Sequence, residues 1–204
     1  MKNKKDDALM PLLVIISGPS GVGKDALLSR MREQGCSYYF TITATTRPKR
    51  AGEQDGKDYF FLSKEEFLRL IKNDELLEWA QVYGNYYGVP KTQVREALER
   101  GQDVIIKTDV QGAATIRSKV PDTLLIFLEP PSLVELEHRL RARMTESSSD
   151  MGLRLETAKE EMSHRALFDY AVVNQNGRLD DAVAQVEAII QKEKRRRPAR
   201  IAKV

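Results

Sequence analysis

Four apolar runs stand out along the chain: LLVII at 12–16, DVIIK at 103–107, LLIFL at 124–128 and YAVVN at 170–174. None alternates polar with apolar positions. A strand buried on both faces reads this way, as in a parallel sheet covered by helices on both sides. Helical periodicity fills the intervals. Ala26 to Glu33 follows the first run and stops before Gly35, and Thr92 to Arg100 ends at Gly101, a glycine suited to closing a helix. Ser132-Leu-Val-Glu135 is a capping box, after which Leu133, Leu136 and Leu140 share one face. A last helix begins near Asp180 and Asp181, with Val183, Val186 and Ile190 spaced for one face. Strands alternating with helices predict an α/β fold around a mostly parallel sheet.

The segment 38–90 breaks that rhythm. YYFTITATT, KDYFFL and EWAQVYGNYYG are rich in aromatic and β-branched residues and are separated by turn signals. Ser63-Lys-Glu-Glu66 is a second capping box and opens a helix to about Asn73. The pattern predicts a small mixed lobe inserted into the core. TESSSDMG at 145–152 is small and polar and predicts a mobile loop between two helices.

Composition changes this picture little. Of the 204 residues, 41% are hydrophobic and 31% charged, as expected of a soluble globule. Charge changes it more. The net +3 is concentrated in Lys192–Val204, which alone carries about +6. The rest of the chain is slightly acidic and offers no basic face for nucleic acid. The tail itself reads as a helix end whose cations complement the dipole and which Pro198 stops; it is expected to be dispensable for catalysis. One cysteine, Cys36, excludes an intrachain disulfide, and His138 and His164 in charge-rich helices read as surface residues. No apolar run near the start is long enough to span a membrane, so the expected address is the cytoplasm. Oligomeric state leaves no signal in the sequence.

The candidate chemistry begins at Gly18-Pro19-Ser20-Gly21-Val22-Gly23-Lys24, directly after an apolar strand and directly before a helix. That context turns G-x-x-x-x-G-K into a phosphate cradle. Its backbone N–H groups point inward, the helix N-terminus adds positive charge, and Lys24 reaches the β- and γ-phosphates. Asp25 stands where the pattern calls for Ser or Thr to hold magnesium. Two readings follow. Either Asp25 has taken over the metal duty, directly or through water, with Lys107 as counter-charge or as a further phosphate contact, or it only complements the helix N-terminus. A second cluster, TTRPKRAGEQDGKDY at 45–59, carries Arg47, Arg50 and Tyr59. It suits a second anion such as a monophosphate, the alternative being an exposed basic loop.

GPSGVGK, TTRPKRAGEQDGKDY, EWAQVYGNYYG at 78–88, DVQG at 109–112 and RLRARMTE at 139–146 together resemble guanylate kinase, over about residues 12–190. The resemblance implies a P-loop three-layer core at 1–37 and 91–204, a mixed α/β GMP-binding lobe at 38–90 and a short helical lid at about 140–155. It implies the reaction ATP + GMP ⇌ ADP + GDP with magnesium, and dGMP as a further acceptor. It assigns the GMP phosphate to Arg47, Arg50, Tyr59 and Tyr87, guanine to Thr43, Glu78 and Asp109, lid charge to Arg139, Arg143 and Arg154, and the adenine side to Asn174. Guanine presents adjacent N1–H and N2–H₂ donors, which a carboxylate accepts and which adenine lacks. Three positions depart from the family: Val89 for a guanine-reading hydroxyl, Asp25, and Lys107 for an acid. The rivals are a non-catalytic interaction domain of the same family and a P-loop kinase with another phosphorylated acceptor.

Overall fold

The computed structural model describes residues 9–142 and 148–204. The described strands are β1 (Leu13–Ser17), β2 (Tyr39–Phe40), β3 (Ala44–Thr45), β4 (Phe60–Phe61), β5 (Leu76–Val82), β6 (Asn85–Pro90), β7 (Val104–Lys107), β8 (Leu124–Glu129) and β9 (Tyr170–Val173). The described α-helices are α1 (Lys24–Glu33), α2 (Lys64–Lys72), α3 (Lys91–Glu99), α4 (Val110–Lys119), α5 (Leu133–Ala142), α6 (Ser148–Ser163) and α7 (Leu179–Lys194).

The four apolar runs form β1, β7, β8 and β9 of one parallel sheet, in the order β2-β7-β1-β8-β9. Alternate residues of β1 feed opposite layers. Leu12, Val14 and Ile16 pack with residues of α1 and α7, while Leu13 and Ile15 pack with Val94, Ala97, Ala113 and Ile116 of α3 and α4. Both faces are dry, so every position must be apolar and the period-2 signal vanishes. The chain leaves β1 towards one edge and later adds β8 on the other side. Such a switch point opens a crevice at the carboxyl ends of β1 and β7.

The small sheet has the order β4-β3-β6-β5 and packs Ala44, Phe67 and Leu76 beneath α2. The second capping box is complete: the Ser63 hydroxyl accepts from Glu66 N–H and the Glu66 carboxylate accepts from Ser63 N–H. The first is half formed. Ser132 Oγ accepts from Glu135 N–H, but the Glu135 carboxylate turns to Arg139.

Four expectations are corrected. Tyr39 and Phe40 of the inserted segment pair with Val104 and Ile105 as an edge of the large sheet. Helix α4 lies where no helix was read, started by the Asp109 carboxylate accepting from Gly112 N–H at 2.7 Å. The expected loop at 145–152 is helical from Ser148 onward; its first residues lie outside the described ones. Leu133 is 42% exposed, so the apolar face of α5 rests on Leu136 and Leu140.

Candidate active site

The crevice begins where β1 runs into its glycines. Gly18 has φ 145°, and a Cβ there would lie 2.1 Å from the Leu128 carbonyl oxygen. Gly23 has φ 101°, and a Cβ there would lie 2.6 Å from Asn174 Nδ2. Both the turn and the close approach therefore demand glycine. Lys24 opens α1 and folds back, donating to the carbonyls of Gly18 and Pro19. Burial lowers its pKa first of all, and the Glu161 carboxylate opposes that shift. Glu161, from α6, accepts from Ser20 N–H at 3.0 Å. In this state a side-chain carboxylate thus uses a cradle donor. The cradle, Thr108, Asp109 and Glu161 line a cavity of about 320 Å³.

Two supports stand behind the cradle. Asn174, buried, donates through Nδ2 to the Val22 carbonyl at 2.8 Å. Arg139 donates to the Val22 carbonyl at 3.2 Å, the Asn174 carbonyl at 2.9 Å and Asn176 Oδ1 at 2.5 Å, with Glu135 at 3.0 Å. Arg139 thus ties α5 to the cradle and to the end of β9. The Leu140 side chain packs against Gly21. Arg154 lies on α6, and Arg143 lies outside the described residues.

A second cavity of about 530 Å³ is lined by Thr43, Glu53, Tyr59 and residues of α1 and β2. Beside it, Arg47, Tyr59 and Tyr87 come together. The Arg47 guanidinium lies 5.3 Å from the Tyr59 ring centroid, and the Tyr59 and Tyr87 rings meet edge to face at 6.3 Å. Glu53 holds the guanidinium through both oxygens, at 2.7 and 3.1 Å, and accepts from Arg50 N–H at 2.7 Å. Hydrogen bonding to Arg47 keeps the Glu53 carboxyl below its usual range. Glu53 and the Pro48 carbonyl fix one edge of the guanidinium beside the rings, and Arg forks suit bidentate anions. Arg50 itself is exposed at the rim.

Glu78 lies within an irregularity of the β5–β6 register between Leu76 and Trp79. Such bulges re-aim side chains. Leu76 packs in the small-sheet core and Leu77 in the main core, so Glu78 sits where the two units meet. Burial, then the Asp109 carboxylate, pushes its pKa up to about 7; a hydrogen bond from Thr108 and the Lys119 charge act the other way. Two carboxylates beside each other at a half-dry seam suit a ligand that brings adjacent donors. Val89 is buried in the main core, so its side chain packs and does not read a base.

The metal end holds an ion pair. Lys107 Nζ stands 2.5 Å from Asp25 Oδ1. Magnesium keeps several waters and is usually held by one or two carboxylates with charge to spare, together with substrate phosphates. Here the charge of Asp25 is already met, and no group of three His, Cys, Asp or Glu side chains among the described residues could hold a metal. The residues present therefore do not fit a protein-held ion at this position.

Structure thus brings together Lys24, Asp25 and Asp109 around one cavity and Thr43 and Tyr59 around the other, with Arg47 and Tyr87 against Tyr59. Sequence reading missed Glu53 and Glu161. Glu53 lay inside the quoted 45–59 motif, six residues from Arg47, and an acid so near a candidate phosphate-binding arginine was a usable signal. Nothing local marked Glu161.

The family model described as guanylate kinase matches residues 10–193. The "Guanylate kinase 2, chloroplastic/mitochondrial" of Oryza sativa subsp. japonica is 49% identical over 90% of this chain, which spans 65% of that protein's length. The guanylate kinase of Synechococcus sp. (strain JA-3-3Ab) is 47% identical over 87% of this chain and 81% of its own. The crystal structure of guanylate kinase from Anaplasma phagocytophilum superposes with a TM-score of 0.73 at 30% identity, covering 95% of this chain and 91% of that one. With one family model spanning nearly the whole chain and relatives this similar along most of their length, this chain belongs to the guanylate kinase family.

Proposed function

We propose that this protein phosphorylates GMP with ATP, reversibly. The observation that carries the reading is the meeting of two anion sites, a Gly-rich cradle with Lys24 and an Arg47–Tyr59–Tyr87 cluster, on either side of one seam. ATP phosphates take the cradle N–H groups and Lys24, displacing Glu161 from Ser20. Asn174 and Arg139 hold the cradle backbone from behind. The GMP phosphate takes Arg47, Arg50, Tyr59 and Tyr87, and its base faces Thr43, Glu78 and Asp109. An oxygen of the GMP phosphate attacks Pγ, the bond from Pγ to the β–γ bridging oxygen breaks, and ADP leaves. No general base is needed, because the acceptor phosphate is already ionised at neutral pH. Catalysis is positioning and charge stabilisation. Lid arginines Arg143 and Arg154 are candidates for stabilising charge on the equatorial oxygens; Arg139, also expected there, is engaged behind the cradle by Val22, Asn174, Asn176 and Glu135. Magnesium, when bound, supplies charge neutralisation on the ATP phosphates. Asp25, the metal candidate of the sequence reading, is already paired with Lys107 and is not proposed to hold the ion. The expected place of action is the cytoplasm; among the described residues no helix is long and apolar enough to cross a membrane.

The test is ADP formation with a panel of GMP, dGMP, AMP, CMP and UMP. We expect turnover with GMP, slower turnover with dGMP, and none above background with the pyrimidine acceptors. Equal use of AMP and GMP would overturn the guanine assignment. No ADP with any acceptor would return the protein to the non-catalytic members of its fold.

A further inference from the structure

The two cavities share two residues, Asp25 and Lys107. Lys107 is the last residue of β7 and pairs in register with Ile16, one step before β1 enters the cradle. Asp25 is the second residue of α1. Their ion pair therefore stands where the phosphate cavity passes into the acceptor cavity. Its side chains are 37% and 67% exposed, and a pair so exposed adds little to stability. Its value lies in what it faces.

A phosphoryl group moving between the cavities must pass this seam with negative charge spread over its oxygens. Lys24 is committed to the cradle, where it is held by Gly18 and Pro19. Arg47 is held beside the acceptor cavity by Glu53. Lys107 is the cation common to both cavities. An ammonium has three N–H donors. One satisfies Asp25, and two are left for oxygens of the phosphates on either side. Asp25 alone would repel those phosphates; with Lys107 the pair is neutral, and both partners line both cavities.

We propose that Lys107 is a catalytic residue that bridges donor and acceptor phosphates, with Asp25 as the positioning residue that holds it at the seam. This rests on the GMP-kinase reading above. The group enters as charge already present in the protein, at a place where the chain's donors do not fit a bound metal.

The probe is an adenosine–guanosine pentaphosphate, whose phosphates span both cavities, titrated calorimetrically in EDTA so that only the protein's own cations act. GMP alone serves as the one-cavity control. We expect Lys107→Met to weaken pentaphosphate binding at least about tenfold, the loss of a charge-assisted contact, and GMP binding less than about threefold. Lys107→Arg, which keeps the charge, should stay within about threefold of the parent for both ligands. Thermal melting checks that each variant is folded, and Lys107→Gln, which also removes the charge, carries the test if the methionine variant is not, with the same expected losses. Parent-like pentaphosphate binding by Lys107→Met, or by Lys107→Gln where it carries the test, overturns the proposal. So does an equal loss for GMP alone, which marks a general field and not a bridge. A parent protein that ignores the pentaphosphate but binds GMP overturns the bisubstrate reading itself.

Discussion

Glu78 is a carboxylate in a place that opposes its charge. Burial and Asp109 raise its pKa from 4.5 to about 7. The native state therefore keeps a proton that the unfolded chain releases, and stability falls as pH rises from about 4.5 to about 7. Glutamine has no such penalty. We expect Glu78→Gln to melt close to the parent near pH 4 and increasingly above it up to pH 8, measured by scanning calorimetry; a gap that does not change with pH would sink the assignment of the strain to this carboxyl. Function should move oppositely. Two guanine donors compensate the ionised form, so GMP affinity should rise with pH through about 7 in the parent, and in the variant only the smaller rise from ionisation of the GMP phosphate should remain. At pH 8 the variant should lose on the order of 2–4 kcal/mol in kcat/KM for GMP, with ATP affinity unchanged. An unchanged kcat/KM for GMP would remove Glu78 from the guanine site.

Among the elements, the core strands and helix α4 make the sharpest contrast between legible and hidden. Strands β1, β7 and β8 were readable because burial on both faces leaves little alternative to apolar side chains, and the edge strand β9, only partly buried, by its short apolar run. Helix α4 was not readable: VQGAATIRSK has small residues and a glycine in its first turn, so its apolar positions are weak, and what starts it is the single Asp109 cap. Strand β2 is two residues long and exists by pairing with β7, a long-range fact that no local period carries. The cradle was legible from its own residues, because close backbone approach to phosphate restricts residue type locally; the 45–59 cluster alone left an anion site and an exposed basic loop open, and Glu78 stood out only through the family resemblance. Glu161 was not legible, because its role comes from α6 lying over a loop 141 residues away. That contact yields an element-scale expectation. A carboxylate on Ser20 N–H, beside Lys24, competes with ATP phosphate for the same donors. Removing its charge should favour the ligand, and Glu161→Gln should lower the Kd for ATP by roughly threefold to tenfold in calorimetric titration, consistent with one charged hydrogen bond. A weaker ATP complex would instead make Glu161 part of the bound site.

At the scale of the whole molecule, the basic tail does more than finish a helix. Helix α7 ends at Lys194, and the chain then returns along the core. Arg200 is 9% exposed; it donates to Glu193 at 2.7 Å and to the Thr123 carbonyl at 3.0 Å, and it reaches Asp169 at 3.3 Å. Tyr170 Oη also donates to Glu193, and Lys194 meets the buried Asp103 at 2.6 Å. Burial works to raise the Glu193 pKa, but the bonds from Arg200 and Tyr170 prevail and hold it low, so this part of the stability is lost as pH falls. Removing one partner leaves a charge in a dry place, a cost of about 3–5 kcal/mol. Truncation after Gln191 deletes Glu193, Lys194 and Arg200 together and strands Asp103. We expect it to lower Tm by roughly 10 °C, and Arg200→Met alone to do nearly as much. The double variant Glu193→Gln, Arg200→Met should recover part of that loss, because it removes the stranded charge along with its partner. No residue beyond α7 lines either nucleotide cavity, so kcat for GMP at 20 °C, corrected for the folded fraction, should stay within about twofold of the parent in all three proteins. A truncated chain that melts like the parent would reduce the tail to dipole compensation. One that folds fully but turns over slowly would instead connect the tail to the site.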